Sequence, residues 1–118
     1  MRKSLASAAC ALAFAMLAQT AAAQDVTMDG LARSASLMRQ IEQSCAVDFD
    51  VDVDLARRAQ AAFAQAGEKA FGKARFDRAL EVEYARRAEE PRSAGVDRWC
   101  ADQRERLMDL SGSKLFRK

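Results

Sequence analysis

Two cysteines, Cys45 and Cys100, limit what this chain can become more than any other pair of its residues. Each falls on the apolar face of a segment with helical periodicity, and they stand 55 residues apart. A bridge between them would tie an early helix to the last one. Closing a loop of that length removes roughly 4 kcal/mol of freedom from the unfolded chain on the chain-entropy argument. That is a large share of the few kcal/mol available to a small domain. Such a bridge belongs in an oxidising compartment, so the start of the chain matters next.

The first residues have the order that export requires. Arg2 and Lys3 form a positive n-region, Ser4 to Ala18 is uncharged and rich in Ala, Leu, Phe and Met, and Ala21-Ala22-Ala23 supplies small residues for a signal peptidase. Residues 1–23 are therefore read as a cleaved signal peptide, with cleavage near Ala23-Gln24. The apolar run is too short and too rich in alanine for a stable membrane anchor, which needs about 20 strongly apolar residues. Cys10 lies inside the apolar run and leaves with it. The expected location is the periplasm or the secreted space.

Residues 24–118 then form one domain of about 95 residues, 23 fewer than the 118 of the whole chain. Removing Arg2 and Lys3 takes the 19 basic residues to 17, against 17 acidic ones, so the net charge of +2 belongs to the leader. The domain is neutral, and nothing in its charge argues for nucleic acid. The charge is uneven along the chain, −5 over Gln24–Asp54 and +5 over Leu55–Lys118. The two halves attract each other, either within the fold or across an interface. Histidine is absent, which removes the usual base near neutral pH and the commonest transition-metal ligand. No catalytic residue is assigned, no cofactor is expected, and the chain is not read as an enzyme.

Helical periods fill the rest. Asp29 is the expected cap of a first helix carrying Leu31, Ala35, Met38, Ile41 and Cys45 on one stripe. Asp48 to Asp54 alternates strictly between Asp and Phe or Val. Extended, it sets Asp48, Asp50, Asp52 and Asp54 on one side and Phe49, Val51 and Val53 on the other. It is expected to be a linker that caps the next helix through Asp52 or Asp54. Leu55, Ala59, Ala62, Phe63 and Ala66 mark one side of that helix. Gly67 and Gly72 predict a break, Phe76, Leu80 and Tyr84 a further buried line, and Glu83/Arg87 a supporting pair. Pro91 is expected to close this helix and Ser93 to cap the last, in which Val96, Trp99, Cys100, Gln103, Leu107 and Leu110 keep a helical period and Gly112 ends it. The fold class is all-α: a small three- to four-helix bundle with one disulfide, Cys45–Cys100.

Three segments carry some chemical suggestion. Gly67 to Ala74 has the glycine and lysine spacing of a phosphate-binding loop, but Ala74 stands where a hydroxyl must hold Mg²⁺ and a helical segment precedes it. It is read as an inter-helix turn, with no nucleotide binding. Asp48, Asp50, Asp52 and Asp54 are weak candidates for a divalent cation. Alternate side chains of an extended chain stand about 6.5–7 Å apart, and the glycine and glutamate of a calcium loop are missing at the required positions. The basic tail Lys114–Lys118 carries Leu115 and Phe116 and is expected to be docked or frayed, with only weak affinity for a membrane. Trp99 is expected to pack against the disulfide.

The function these features support is that of an exported binding or accessory protein whose partner is another envelope protein. In overall architecture (small, helical, exported, one disulfide) the chain also resembles acid-activated periplasmic chaperones of the HdeA type. That resemblance implies a fold loosened when its carboxylates are protonated in acid. A divalent-cation-binding protein built on the Asp48–Asp54 ladder is the third reading.

Overall fold

The computed structural model describes residues 26–108 and 114–117. The leader, Leu110 and Gly112 lie outside the described residues. Four helices follow one another: α1 (Met28–Cys45), α2 (Val53–Phe71), α3 (Lys73–Ala94) and α4 (Val96–Met108). None of them is long and apolar enough to cross a membrane.

Helix α1 is capped two residues earlier than expected. Thr27, not Asp29, has the extended backbone of a cap, and its Oγ1 accepts from Gly30 N at 2.9 Å. Asp29 sits in the first turn, where its charge still favours the helix dipole. Both residue types cap well, so composition alone does not choose between them. The stripe then forms as its spacing predicts, with Ala35, Ile41 and Cys45 buried and Leu31 and Met38 half-buried. Ala32 and Ser36 join it, and the buried Ser36 hydroxyl is satisfied by donating to Arg33 O at 2.8 Å. Helix α1 is the central element, packed against each of the other three.

Helix α2 is capped by Asp52, whose Oδ1 accepts from Leu55 N at 3.0 Å. Its buried side is rotated from the expected one. Ala62 and Ala66 are exposed, while Ala56 and Gly67 are buried and Phe63 is half-buried. Gly67 is the physical reason. A Cβ built there would lie 2.1 Å from Phe76 Cε1, so the bare Cα is what admits the fully buried Phe76 ring.

Two joints of one residue each carry the chain onward. Gly72 (φ 86°, ψ 144°) separates α2 from α3, and Gly95 (φ 90°, ψ 135°) separates α3 from α4. That region of backbone space is accessible essentially to glycine alone. Contrary to expectation, Pro91 does not close α3. The helix runs through it to Ala94, and Gly95 N donates to Pro91 O at 2.9 Å. Proline lacks only its own N–H, so one helical bond is lost and later residues still bond back. Ser93 is consequently a residue of α3 and not the cap of α4.

The apolar interior divides into two clusters. One gathers Ala32 and Ala35 with Phe76 and Leu80. The other gathers Ile41, Cys45, Val51, Ala56, Trp99 and Cys100 with Leu115 and Phe116 of the C-terminal segment.

Gly67 and Gly72 are required for different reasons, and substitution separates them. Gly67→Ala should cost about 1–3 kcal/mol through overpacking, and Phe76→Leu in the same chain should recover part of it. Gly72→Ala meets open space, so its cost, of order 1–3 kcal/mol, is backbone strain that Phe76→Leu leaves untouched. Urea midpoints of the three single variants, Phe76→Leu included, and the two double variants check this.

Candidate functional site

The features that the sequence singles out converge at one end of the bundle. Cys45, the last residue of α1, and Cys100, in α4, form a disulfide with sulfurs 2.06 Å apart and Cα atoms 5.6 Å apart. Both cysteines are fully buried. Trp99 packs in the same cluster, and its Nε1 donates to Glu90 Oε1 at 3.1 Å, so the ring is buried while its polar edge is satisfied.

The acidic segment between α1 and α2 lies across this core, and its alternation acquires a purpose there. Val51 points inward and is buried, with Phe49 and Val53 half-buried on either side of it. The four aspartates do not act together. Asp48 is exposed in the turn after α1. Asp50 lies 3.7 Å from Arg117 Nε, Asp52 caps α2, and Asp54 sits in the first turn of α2. Among the described residues no three His, Cys, Asp or Glu side chains gather closely enough to hold a metal ion.

The C-terminal segment is docked. Asp52 N donates to Leu115 O and Arg117 N donates to Asp50 O, both at 2.8 Å, which sets Val51 opposite Phe116 in an antiparallel bridge. This is the closely spaced kind of antiparallel pair, in which facing side chains meet. Phe116 also meets Phe49 edge to face, with centroids 6.2 Å apart, and Arg104 lies over the Phe49 ring at 5.1 Å. The expectation that the tail is docked or frayed resolves to docking. Its pairing partner was not legible, because a match between residues 65 positions apart leaves no local signal; the alternation of Val51 with aspartates showed only that the segment could be extended.

Helix-to-helix charge pairing differs from the expected pattern too. Glu83 bonds to Arg86 and faces Arg33 at 3.9 Å, while Arg87 turns to Glu90 at 3.1 Å and donates to Arg33 O at 3.4 Å. Spacings of three and four are equally within reach on a helix surface, and here the tertiary contact with α1 selects three. Arg87 Nε is buried without an acceptor among the described residues, a desolvation cost set against the bonds made by its other nitrogens. Between α1 and α2, Glu42 accepts from Arg57 Nε and from Gln60 Nε2, each at 2.9 Å. Burial of Glu42 works to raise its pKa. The bonds from Arg57 and Gln60, with the charges of Arg57 and Arg39, outweigh that and hold the carboxyl below the ordinary 4.5.

Gly67 to Ala74, with its resemblance to a phosphate loop, spans the last turn of α2, the Gly72 joint and the start of α3. One glycine admits Phe76 and the other turns the chain. Compared with protein-family models, curated proteins and solved structures, the chain matches none of them.

Reducing the disulfide should lower stability by about 4 kcal/mol on the loop-length argument, read as a fall in the urea midpoint of the Cys45→Ala/Cys100→Ala chain against the oxidised one. Glu42 supplies a pH signature. A carboxyl held low in the fold adds stability that is present above pH 4.5 and is lost as pH falls through its folded value. Glu42→Gln should flatten that part of the acid-unfolding profile while leaving its slope near neutral pH unchanged.

Proposed function

We propose that the chain is an exported accessory protein of the bacterial envelope, which acts by binding another envelope protein. The observation that carries this reading is the Cys45–Cys100 bridge, buried in the larger core. A disulfide built into the interior of a small helical domain suits an oxidising compartment, and the charged, apolar and small-residue order of residues 1–23 supplies the route to one. The chain also lacks histidine altogether, which favours binding over acid–base chemistry. Exposed apolar side chains beside the bridged core, Val47 at 87 % and Val96 at 45 % exposure, add surface on which a protein partner can rest.

Fractionation and crosslinking test this. The tagged chain should be recovered from the envelope fraction with Gln24 as its first residue. A photoreactive side chain replacing Val47 should give one discrete conjugate that is lost when untagged chain is co-expressed. Recovery from the cytosol with Met1 intact and both thiols open to alkylation overturns the proposal.

A further inference from the structure

The C-terminal segment is attached in the way that binding grooves hold an extended peptide. Its contacts are two backbone bonds to the 50–52 segment, two buried side chains and one terminal cation. Strand addition of this kind draws affinity from main-chain bonds and specificity from the pockets that take side chains along the segment. Leu115 and Phe116 are only 4 % and 5 % exposed, and Phe116 meets Phe49 edge to face and pairs with Val51. Arg117 reaches Asp50 at 3.7 Å and donates from Nη2 to Val51 O at 3.4 Å.

We propose that this groove is a peptide-docking site, that residues 114–117 occupy it in cis, and that its partner is an extended segment of another protein with two consecutive apolar side chains followed by a cation. The proposal rests on the reading of the chain as a binding protein and specifies what it would bind. Each part of the groove selects one part of that pattern. The backbone bonds to Asp50 O and from Asp52 N require an extended chain with an N–H at the cation's position, so proline is excluded there. The hydrophobic cluster that Leu115 and Phe116 join, with Phe49 and Val51 against Phe116, requires apolar bulk. Asp50 requires the cation.

Two observations favour a partner over a permanent plug. The charge pair that holds the tail is weak, since Arg117 and Asp50 stand 3.7 Å apart with side chains 57 % and 40 % exposed, which leaves the two backbone bonds as the chief polar hold. The acidic segment also has unspent charge, because Asp48 and Asp54, which flank residues 50–52 in sequence, are exposed and form no ion pair among the described residues. A partner with further cations beside the first would meet those carboxylates, which residues 114–117 do not pair with. A segment tethered in cis competes at an effective concentration in the millimolar range. The added charge contacts are what would let a partner displace it.

The probe is the peptide Lys-Leu-Phe-Arg-Lys, labelled at its N-terminus, and the protein is the full chain carrying Leu115→Ser and Phe116→Ser, so that its own tail cannot fill the groove. Saturable binding by anisotropy is expected. It should weaken at least tenfold when the phenylalanine of the peptide becomes alanine, when the chain carries Asp50→Lys, or when the wild-type chain is used. Quenching or shift of the lone tryptophan, Trp99, should follow the same curve. No saturable binding to a variant that retains its helical circular dichroism and its disulfide overturns the proposal, as does binding indifferent to both substitutions. Should the double variant fail to fold, amide exchange in the wild-type chain decides. Asp52 and Arg117 amides that exchange well before those of α1 support a displaceable tail, and amides that exchange only with global unfolding sink it. The binding assay is independent of compartment, whereas fractionation is blind to the groove, so either proposal can fail alone.

Discussion

The bond between Cys45 and Cys100 turns a linear series of helices into a ring. Helix α1 is followed by the acidic segment, then α2, α3 and α4 in succession, and the bridge returns α4 to the end of α1. The larger core is organised about that closure. Ile41 and Cys45 bring α1 to it, Trp99 and Cys100 bring α4, Ala56 brings α2, and Val51 and the C-terminal segment close it over. A domain of this size buries a modest fraction of its surface, so a constraint on the unfolded chain contributes in proportion more than it would in a large one. The second cluster, around Phe76, has no such bond. It depends instead on close approach, and the bare Cα of Gly67 is where that approach is made.

Asp52 shows how densely a short connection can be used. Its side chain caps α2, its N–H holds Leu115 O, and its C=O accepts from Ala56 N at 3.0 Å within the helix it begins. The change of direction from extended chain to helix, and the docking of the C-terminus, therefore depend on the same residue. A side-chain substitution there would remove the cap and keep the N–H that holds Leu115, whereas proline would remove that N–H as well. The neighbouring aspartates are less constrained, which fits an alternating pattern whose apolar half packs and whose charged half faces water.

Features that are local or periodic could be read from the residues. The α1 stripe through Ile41 and Cys45, capping by one of Asp52 and Asp54, a break near Gly67 and Gly72 and the pairing of the two cysteines all follow from spacing and residue type. What escaped was decided by contacts between distant segments or by choices among equals. Thr27 and Asp29 cap equally well on paper. The buried side of α2 is set by Phe76 arriving at Gly67 from another helix, so an alanine count pointed to Ala62 and Ala66 instead. Pro91 read as a stop because its neighbours were read without the glycine four residues later that ends the helix properly. The bridge between Val51 and Phe116 is the extreme case, since each half looks unremarkable alone. The candidate groove was thus legible in its parts, a basic apolar tail and an extendable acidic segment, and illegible as a whole.

The single-residue joints at Gly72 and Gly95 have a consequence for how the chain meets a protease. From Val53 to Met108 only those two residues interrupt helix. A protease cleft binds several residues of its substrate in extended form, and this long stretch offers none until a helix opens. Cutting is thereby confined to the segments that flank it, and resistance through the middle of the chain is set by the cost of local unfolding and not by the absence of cleavable side chains, of which its many arginines supply plenty.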